Sequence, residues 1–360
     1  MTYKSGIANL VSQDQWDLLY SLLDDGDQSP FYATEFYRSY LDIEDHEAQC
    51  FWIYEDEQNF LFYPFLLRSI NSLGYSLDQQ YYDVCGAYGY NGPVGKIQST
   101  EIVQRFNAEL LKYCTEHKVV TELVRYCPII AGRDYHTYPT QLDVLDNVFI
   151  DLSKGLDWVW EESFEYRVRK TIRKGESYGL QSQIISADQV TTEQIDIFYA
   201  IYTSTMHRNE ADGFYFFPKD FFIHLFAYMP RNILYVITTY QDTPVSVELV
   251  LIDGTNAFGF LGGTLSKYYS YKPNTFQRWE LIRYLVDRGF QKYSMGGGAV
   301  RGDGIYSFKM SFAKDCQNPF YIGLFVHNPS IYEQIKEQWK QKYPNMQKYE
   351  AKLQCYRIQG

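Results

Sequence analysis

The sequence predicts an α+β fold with two domains, each a mixed, mostly antiparallel sheet flanked by helices. Three observations predict it. The chain has 360 residues, more than one hydrophobic core normally organises. Within 233–263, three strand-like runs are joined by the short turns Gln241-Asp242-Thr243 and Asp253-Gly254-Thr255-Asn256, so they pair antiparallel. An amphipathic helix and one more strand follow, which closes a meander with a crossover.

The elements of the first domain, 1–150, follow from local pattern. A helix is expected at 13–23. Runs 49–54 and 60–68 read as strands around a polar turn. Segment 83–94, rich in Gly, Tyr and Asn and closing near a Gly-Pro pair, reads as a loop. Ile102, Val103, Phe106, Leu110 and Tyr113 recur at helical spacing, predicting a helix over 100–117. Strands follow at 119–126 and 142–150.

The second domain is placed at 151–330, with a helical tail at 331–360. Trp160, Phe164, Val168 and Ile172 recur every four residues, which predicts one helix over 156–175. Gly179 marks a turn. Helices are expected at 192–209 and, after Pro218, at 219–229. After the meander, Asn274 with Gln277 has the spacing of a capping box, and Gly289 supplies the stop. The last strand, 290–295, runs into Gly296, Gly297 and Gly298.

Bulk chemistry narrows the function. Apolar residues are 46% and charged residues 21%, a balance that folds. A net charge of −11 argues against a general DNA- or RNA-binding surface. The six cysteines lie far apart with no C-x-x-C pair, so no metal site is expected, and reduced thiols point to a cytoplasmic protein. His207 and His327 are expected to be structural. The first residues lack the apolar core of a signal peptide. The longest apolar runs, such as 60–67 and 247–252, are too short to span a bilayer, so no integral membrane association is expected. The 35 tyrosines suit a tyrosine-lined cleft for sugars or other amphipathic ligands, or reflect composition bias; both readings stand.

The richest chemistry lies in 294–329. The triple glycine ends a strand, Gly302 and Gly304 lie in the polar loop that follows, and Phe308 and Lys309 sit on a short helix. Successive glycines let backbone N–H groups approach a ligand. A lysine just beyond can meet negative charge that forms during reaction.

These residues, taken with Asp151-Leu152-Ser153, the run from Arg167 to Lys174 before Gly179, Pro244-Val245, Phe260-Leu261-Gly262-Gly263-Thr264, Tyr271-Lys272-Pro273-Asn274 and Phe320-Tyr321-Ile322-Gly323, resemble the GNAT superfamily of acyltransferases. The closer resemblance is to its Fem-type branch, which holds peptidoglycan bridge-forming aminoacyltransferases. Tyr88-Gly89-Tyr90-Asn91-Gly92-Pro93 resembles a loop of the same branch. The resemblance covers about 60–329 and implies two GNAT-like domains. In one respect the sequence departs from it: coenzyme-A-binding members carry Q-x-x-G-x-G/A before the crossover helix, and residues 266–277 here hold no glycine. The helix N-terminus at Asn274 could still receive phosphate through its free N–H groups.

The resemblance implies that Lys309 stabilises an oxyanion or a charged donor and that Tyr306 protonates a leaving group. Phe308 would orient Lys309. Gly297 and Gly298 would let substrate approach. Glu248, within the strand VSVELVL, is either a base facing the cleft or part of a solvated strand face. Arg167, Arg169, Lys170, Arg173 and Lys174 crowd one short stretch. Of these, Arg167, Lys170 and Lys174 share a helical face, which is either a phosphate site or a solvated surface. Arg301 is a second anion candidate. Asp83, Tyr88 and Tyr90 form either an acceptor wall or a simple turn. No G-x-S-x-G elbow supports a serine hydrolase.

The expected function is an N-acyltransferase moving an activated acyl group to an amine of a small-molecule or cell-envelope precursor. The donor is left open between acyl-coenzyme A, whose pyrophosphate loop motif is absent, aminoacyl-tRNA and another activated acyl group. A tRNA-dependent aminoacyltransferase is the alternative, disfavoured by the negative charge. A glycan- or partner-binding protein with a decayed fold is the third reading.

Overall fold

The computed structural model describes residues 3–40 and 46–359. The chain forms two compact units. The first holds residues 1–23, 31–144 and 320–360, and the second holds 24–30 and 145–319. The tail is no separate body, because residues 320–360 return to the first unit.

Along the first unit come β1 (Lys4–Asn9), α1 (Asp14–Ser21), α2 (Thr34–Arg38), β2 (His46–Asp56), β3 (Asn59–Ser69), β4 (Tyr82–Cys85), β5 (Val94–Lys96), α3 (Thr100–Glu116) and β6 (Val119–Arg125). Strands β1, β2, β3 and β4 pair antiparallel in that order, and β6 runs parallel to β4. Helix α3 makes that crossover. Ser99 caps it through the N–H of Glu101, and its stripe of Ile102, Phe106, Leu110 and Tyr113 is buried against Phe51, Phe65 and Val124. The expected loop at 83–94 is partly strand, since β4 contains Asp83. A four-residue strand with a charged residue at its centre carries too little pattern to stand out from its Gly-rich continuation.

The second unit contains β7 (Thr140–Asp151) from residue 145 on, α4 (Leu156–Trp158), α5 (Tyr166–Ser177), β8 (Gln181–Ser186), α6 (Thr192–Arg208), α7 (Lys219–Tyr228), β9 (Ile233–Tyr240), β10 (Thr243–Asp253), β11 (Asn256–Thr264), α8 (Pro273–Asp287), β12 (Lys292–Gly296) and α9 (Gly304–Met310). Strands β8, β9, β10 and β11 pair antiparallel in order, and β12 lies parallel to β11. Strand β7 pairs antiparallel with β12. Its core gathers Val148, Ile150, Phe164, Ile172, Ile282 and Phe312.

Three expectations change here. The single helix over 156–175 is broken. Helix α4 runs into a wider turn over Val159–Ser163, and Phe164 is extended with ψ 135°. The Phe164 ring packs on Trp279 and Phe312 at centroid distances of 5.8 and 5.4 Å. Arg169 Nη1 donates to the carbonyls of Trp160, Glu161 and Phe164 at 2.8, 3.0 and 2.9 Å, which satisfies groups that a helix end leaves open. Strand β8 was not anticipated, because its polar alternation suits an edge. Helix α8 begins at Pro273, with Lys272 as N-cap at φ 67°. Asn274 is therefore inside the helix. Gln277 forms no capping box and is buried, within 3.2 Å of Thr238 Oγ1.

The chain closes with β13 (Gln317–Val326), which pairs antiparallel with β6 in the first unit, and α10 (Pro329–Lys342). Ile335 and Trp339 of α10 are buried with Val120 and Tyr356. Among the described residues no helix is long and apolar enough to cross a membrane. The six cysteines, all among the described residues, form no disulfide.

Candidate active site

Parallel strands β11 and β12 share only three residue pairs, from Asn256↔Lys292 to Phe258↔Ser294. Just beyond, β11 bulges: Val250 faces Gly259 and Leu249 faces Leu261, leaving Phe260 unmatched. A bulge bends its strand and interrupts pairing. A cavity of about 440 Å³ reaches both strands, lined by residues 259–264 of β11 and Met295 of β12. It lies past the last paired residues, where ligands collect at the carboxyl ends of parallel strands. Glu248 of β10, Asn274 and Arg278 of α8, Phe308 and Lys309 of α9, and Thr205, Met206 and Arg208 of α6 also line it.

Helix α9 holds Lys309 in place. Asp303 caps it, accepting from the backbone N–H groups of Tyr306, Ala299 and Val300 at 2.7, 2.7 and 3.1 Å. Lys309 Nζ donates to the Gly297 carbonyl at 2.6 Å. Burial, then the positive Arg278, lowers the Lys309 pKa from its usual range to about 7, against the opposing pull of Glu248 and Asp303. Phe308 packs on Phe312 and lies beneath the Arg278 guanidinium, 5.8 Å from its ring centroid.

Glu248 faces the cavity and is buried, which corrects the reading of a solvated strand face. It is 6% exposed. Its Oε1 lies 3.2 Å from Arg278 Nη1 and accepts from Tyr293 OH at 3.1 Å. Arg278 in turn donates to Tyr293 OH at 2.8 Å. Burial pushes the Tyr293 phenol far up, so it stays neutral. Gly259 makes room for this triad. A Cβ there would lie 3.1 Å from Glu248 Oε1 and 3.2 Å from Tyr293 OH.

Other expected residues lie elsewhere. Tyr306 OH hydrogen-bonds Gln317, and Tyr306 is not among the residues that line the cavity. Gly297 supplies its carbonyl to Lys309. A Cβ on Gly298 would fall 2.3 Å from Asp303 Oδ1, so this glycine serves the loop, not a ligand. Arg301 is paired with Asp146 at 2.8 Å. Arg167 pairs with Glu165 at 2.6 Å and lines a second cavity of about 290 Å³ with Thr275, Ser307 and Phe308. Lys170 and Lys174 are exposed on α5, with Lys174 over the Tyr178 ring. Arg169 is spent on the broken helix, and Arg173 lies over Trp160.

In the first unit, Asp83 is fully buried. It pairs with Arg68 at 2.9 Å and Arg357 at 2.6 Å, and accepts from Tyr356 OH at 2.8 Å. Burial would raise its pKa, but the two guanidinium groups hold it below the usual carboxylate value. This arrangement is a structural anchor, not an acceptor wall. The Tyr90 ring is half-buried, edge-on to Phe31 and Phe320. The Tyr88 N–H donates to Tyr40 OH at 3.2 Å.

Sequence reasoning missed Arg278 and Tyr293. Arg278 stands beside the inward Trp279, and a charged residue between inward positions of a helix reads as part of its solvated face. Tyr293 is one tyrosine among many, so nothing marked it.

Residues 162–310, all in the second unit, match the family model described as an acetyltransferase (GNAT) domain. Among solved structures, FemX shares the fold with a TM-score of 0.65 at 10% identity, over 92% of this chain and 99% of that one. A Bacteroides thetaiotaomicron protein of unknown function is similar at 0.56, with 10% identity over 90% of this chain and 100% of its own. A tandem GNAT protein from the clavulanic acid biosynthesis pathway is similar at 0.52, with 8% identity over 91% and 99%. No curated protein matches the chain significantly.

Proposed function

We propose that this chain, an acyltransferase with a GNAT domain at 162–310 and the fold of FemX, moves an activated acyl group onto an amine of a small-molecule or cell-envelope precursor. The observation that carries this reading is Lys309, held at the open end of the β11–β12 wedge with its pKa near 7. The acceptor amine attacks the acyl carbon, and the bond to the leaving group breaks. Neutral Lys309 takes the proton that the attacking nitrogen must lose. As ammonium it then faces the negative oxygen of the tetrahedral intermediate and returns the proton to the leaving group. Glu248 acts through Arg278: the pair fixes the charge that sets Lys309.

The donor that fits is acyl-coenzyme A. Helix α8 has no side-chain cap, and Pro273 occupies its first turn. The backbone N–H groups of Asn274 and Thr275 would hold the donor's phosphates. The envelope acceptor rests on the Fem-type resemblance alone. Turnover of acetyl-coenzyme A with a panel of amino sugars and amino acids tests the reading. Lys309→Ala should abolish turnover while staying folded, and unchanged turnover would overturn the assignment.

A second reading has one observation in its favour. Lys170 and Lys174 are exposed on the same helix as Arg167, a face suited to a polyanionic donor such as aminoacyl-tRNA. A gel shift with charged tRNA, weakening steeply with salt, would favour it over coenzyme A.

A further inference from the structure

The first unit buries a polar cluster that acyl transfer does not use. Glu122, on β6, has no exposed surface. Its Oε2 accepts from Tyr138 OH at 2.6 Å and lies 3.0 Å from His327 Nε2. Its Oε1 lies 3.4 Å from Nε2 of the fully buried His136. Tyr63 also reaches this carboxylate. Even so, neither Glu122 Oε1 nor His136 Nε2 has a partner of normal hydrogen-bond geometry. From helix α3, buried Cys114 approaches the same point. Its Sγ, a Glu122 oxygen and a His327 nitrogen all lie within 4.8 Å of one another.

His136 Nδ1 is 3.2 Å from Tyr126 OH. In the tautomer that donates this proton to Tyr126, Nε2 turns a lone pair toward the carboxylate oxygen. Two acceptors then face each other inside an apolar core that includes Val84, Phe106, Leu110 and Val124. Such an arrangement is costly unless a cation lies between them.

We propose that Cys114, Glu122 and His327 bind a divalent metal ion of zinc type, with His136 Nε2 as the fourth donor. One thiolate, one carboxylate and two imidazoles form the borderline-soft, four-donor set that zinc takes tetrahedrally. The hydrogen bond that His136 Nδ1–H then donates to Tyr126 OH orients the ring, as an outer partner does at such centres. All four donors come from the protein and are buried, so the ion is structural. It ties α3, β6 and the segment after β13 to residue 136, which lies outside these elements.

The test is metal analysis of the full chain purified from zinc-supplemented cells. Wild type should carry about one zinc ion per chain, the stoichiometry of a mononuclear structural site. His327→Ala and Cys114→Ser should fall to background. Zinc added to chelator-treated wild type should raise Tm, with no such rise in the variants. Cobalt-loaded wild type should show a thiolate-to-cobalt charge-transfer band that Cys114→Ser lacks. The proposal is overturned if wild type is metal-free and its Tm ignores zinc, or if both variants keep the full metal content. Should the variants not fold, absence of the cobalt band in wild type overturns it equally.

Discussion

Lys309 Nζ lies 2.6 Å from the carbonyl oxygen of Gly297, which faces it across the loop that Asp303 closes. A backbone carbonyl holds the amine without neutralising it. Burial, and after it the nearby cation Arg278, then favour the neutral form. Lys309 can therefore change protonation state during a catalytic cycle.

Its titration should appear in kinetics. The acid limb of kcat/KM against pH should have an apparent pKa of about 7. Lys309→Arg keeps the charge but cannot lose its proton. It should lower kcat at least about 100-fold, in the range of a lost oxyanion partner, and remove that limb. A limb persisting in the arginine variant would assign it to another group.

Stability should respond to the same group. The folded pKa of Lys309 lies below its unfolded value, so the unfolded chain binds more protons between the two. Stability due to this residue therefore rises with pH from about 7 toward the ordinary lysine pKa of about 10.4. Denaturant melts of wild type against Lys309→Met across that window should show the slope only in wild type.

Glu248→Gln separates support from chemistry. It leaves Arg278 buried without its counter-charge, a loss of about 3 kcal/mol. Glu248 also raises the Lys309 pKa, so its removal should move the acid limb below that of wild type. Urea melts and a pH–rate profile of one variant check both. A limb that moves upward would contradict the electrostatic link.

Gly263 tests how closely α6 lies on β11. A Cβ there would sit 2.5 Å from Thr205 Oγ1 and 2.8 Å from the Ile201 carbonyl oxygen. Backbone must move to admit it, so Gly263→Ala should cost about 1–3 kcal/mol. Gly213→Ala, with nothing within 4 Å, should stay within about 0.5 kcal/mol. Thermal melts of the pair suffice.

Asp83 predicts acid sensitivity. Its folded pKa is held below the unfolded value by Arg68 and Arg357. Its contribution is present above the unfolded carboxylate pKa of about 3.9 and fades as pH falls toward the folded one. Asp83→Asn should lose stability at neutral pH and show a flatter acid limb in denaturant melts.

The fold was legible where periodicity was strong. Ile102, Phe106 and Leu110 declared α3, and the turns at 241–243 and 253–256 declared the meander. The break at Phe164 was hidden because Phe164, Val168 and Ile172 keep helical spacing on either side of it. What breaks the helix is Arg169 reaching back to three carbonyls, a tertiary choice with no local signature. Strand β8 was hidden because Gln181 and Gln183 give it no apolar face. In the site, Lys309 could be read from its glycine loop. Arg278 and Tyr293 could not, because their meaning lies in meeting Glu248 across three separate elements. The same holds for Cys114, Glu122 and His327, which no ligand spacing connects.

The return of residues 320–360 to the first unit has a consequence for synthesis. Strand β6 is flanked by β4 on one side and β13 on the other. A ribosome releases β13 only after the whole of 145–319 has emerged. The nascent chain thus exposes an unpaired β6 edge throughout the making of the second unit, and the half translated first is the half completed last.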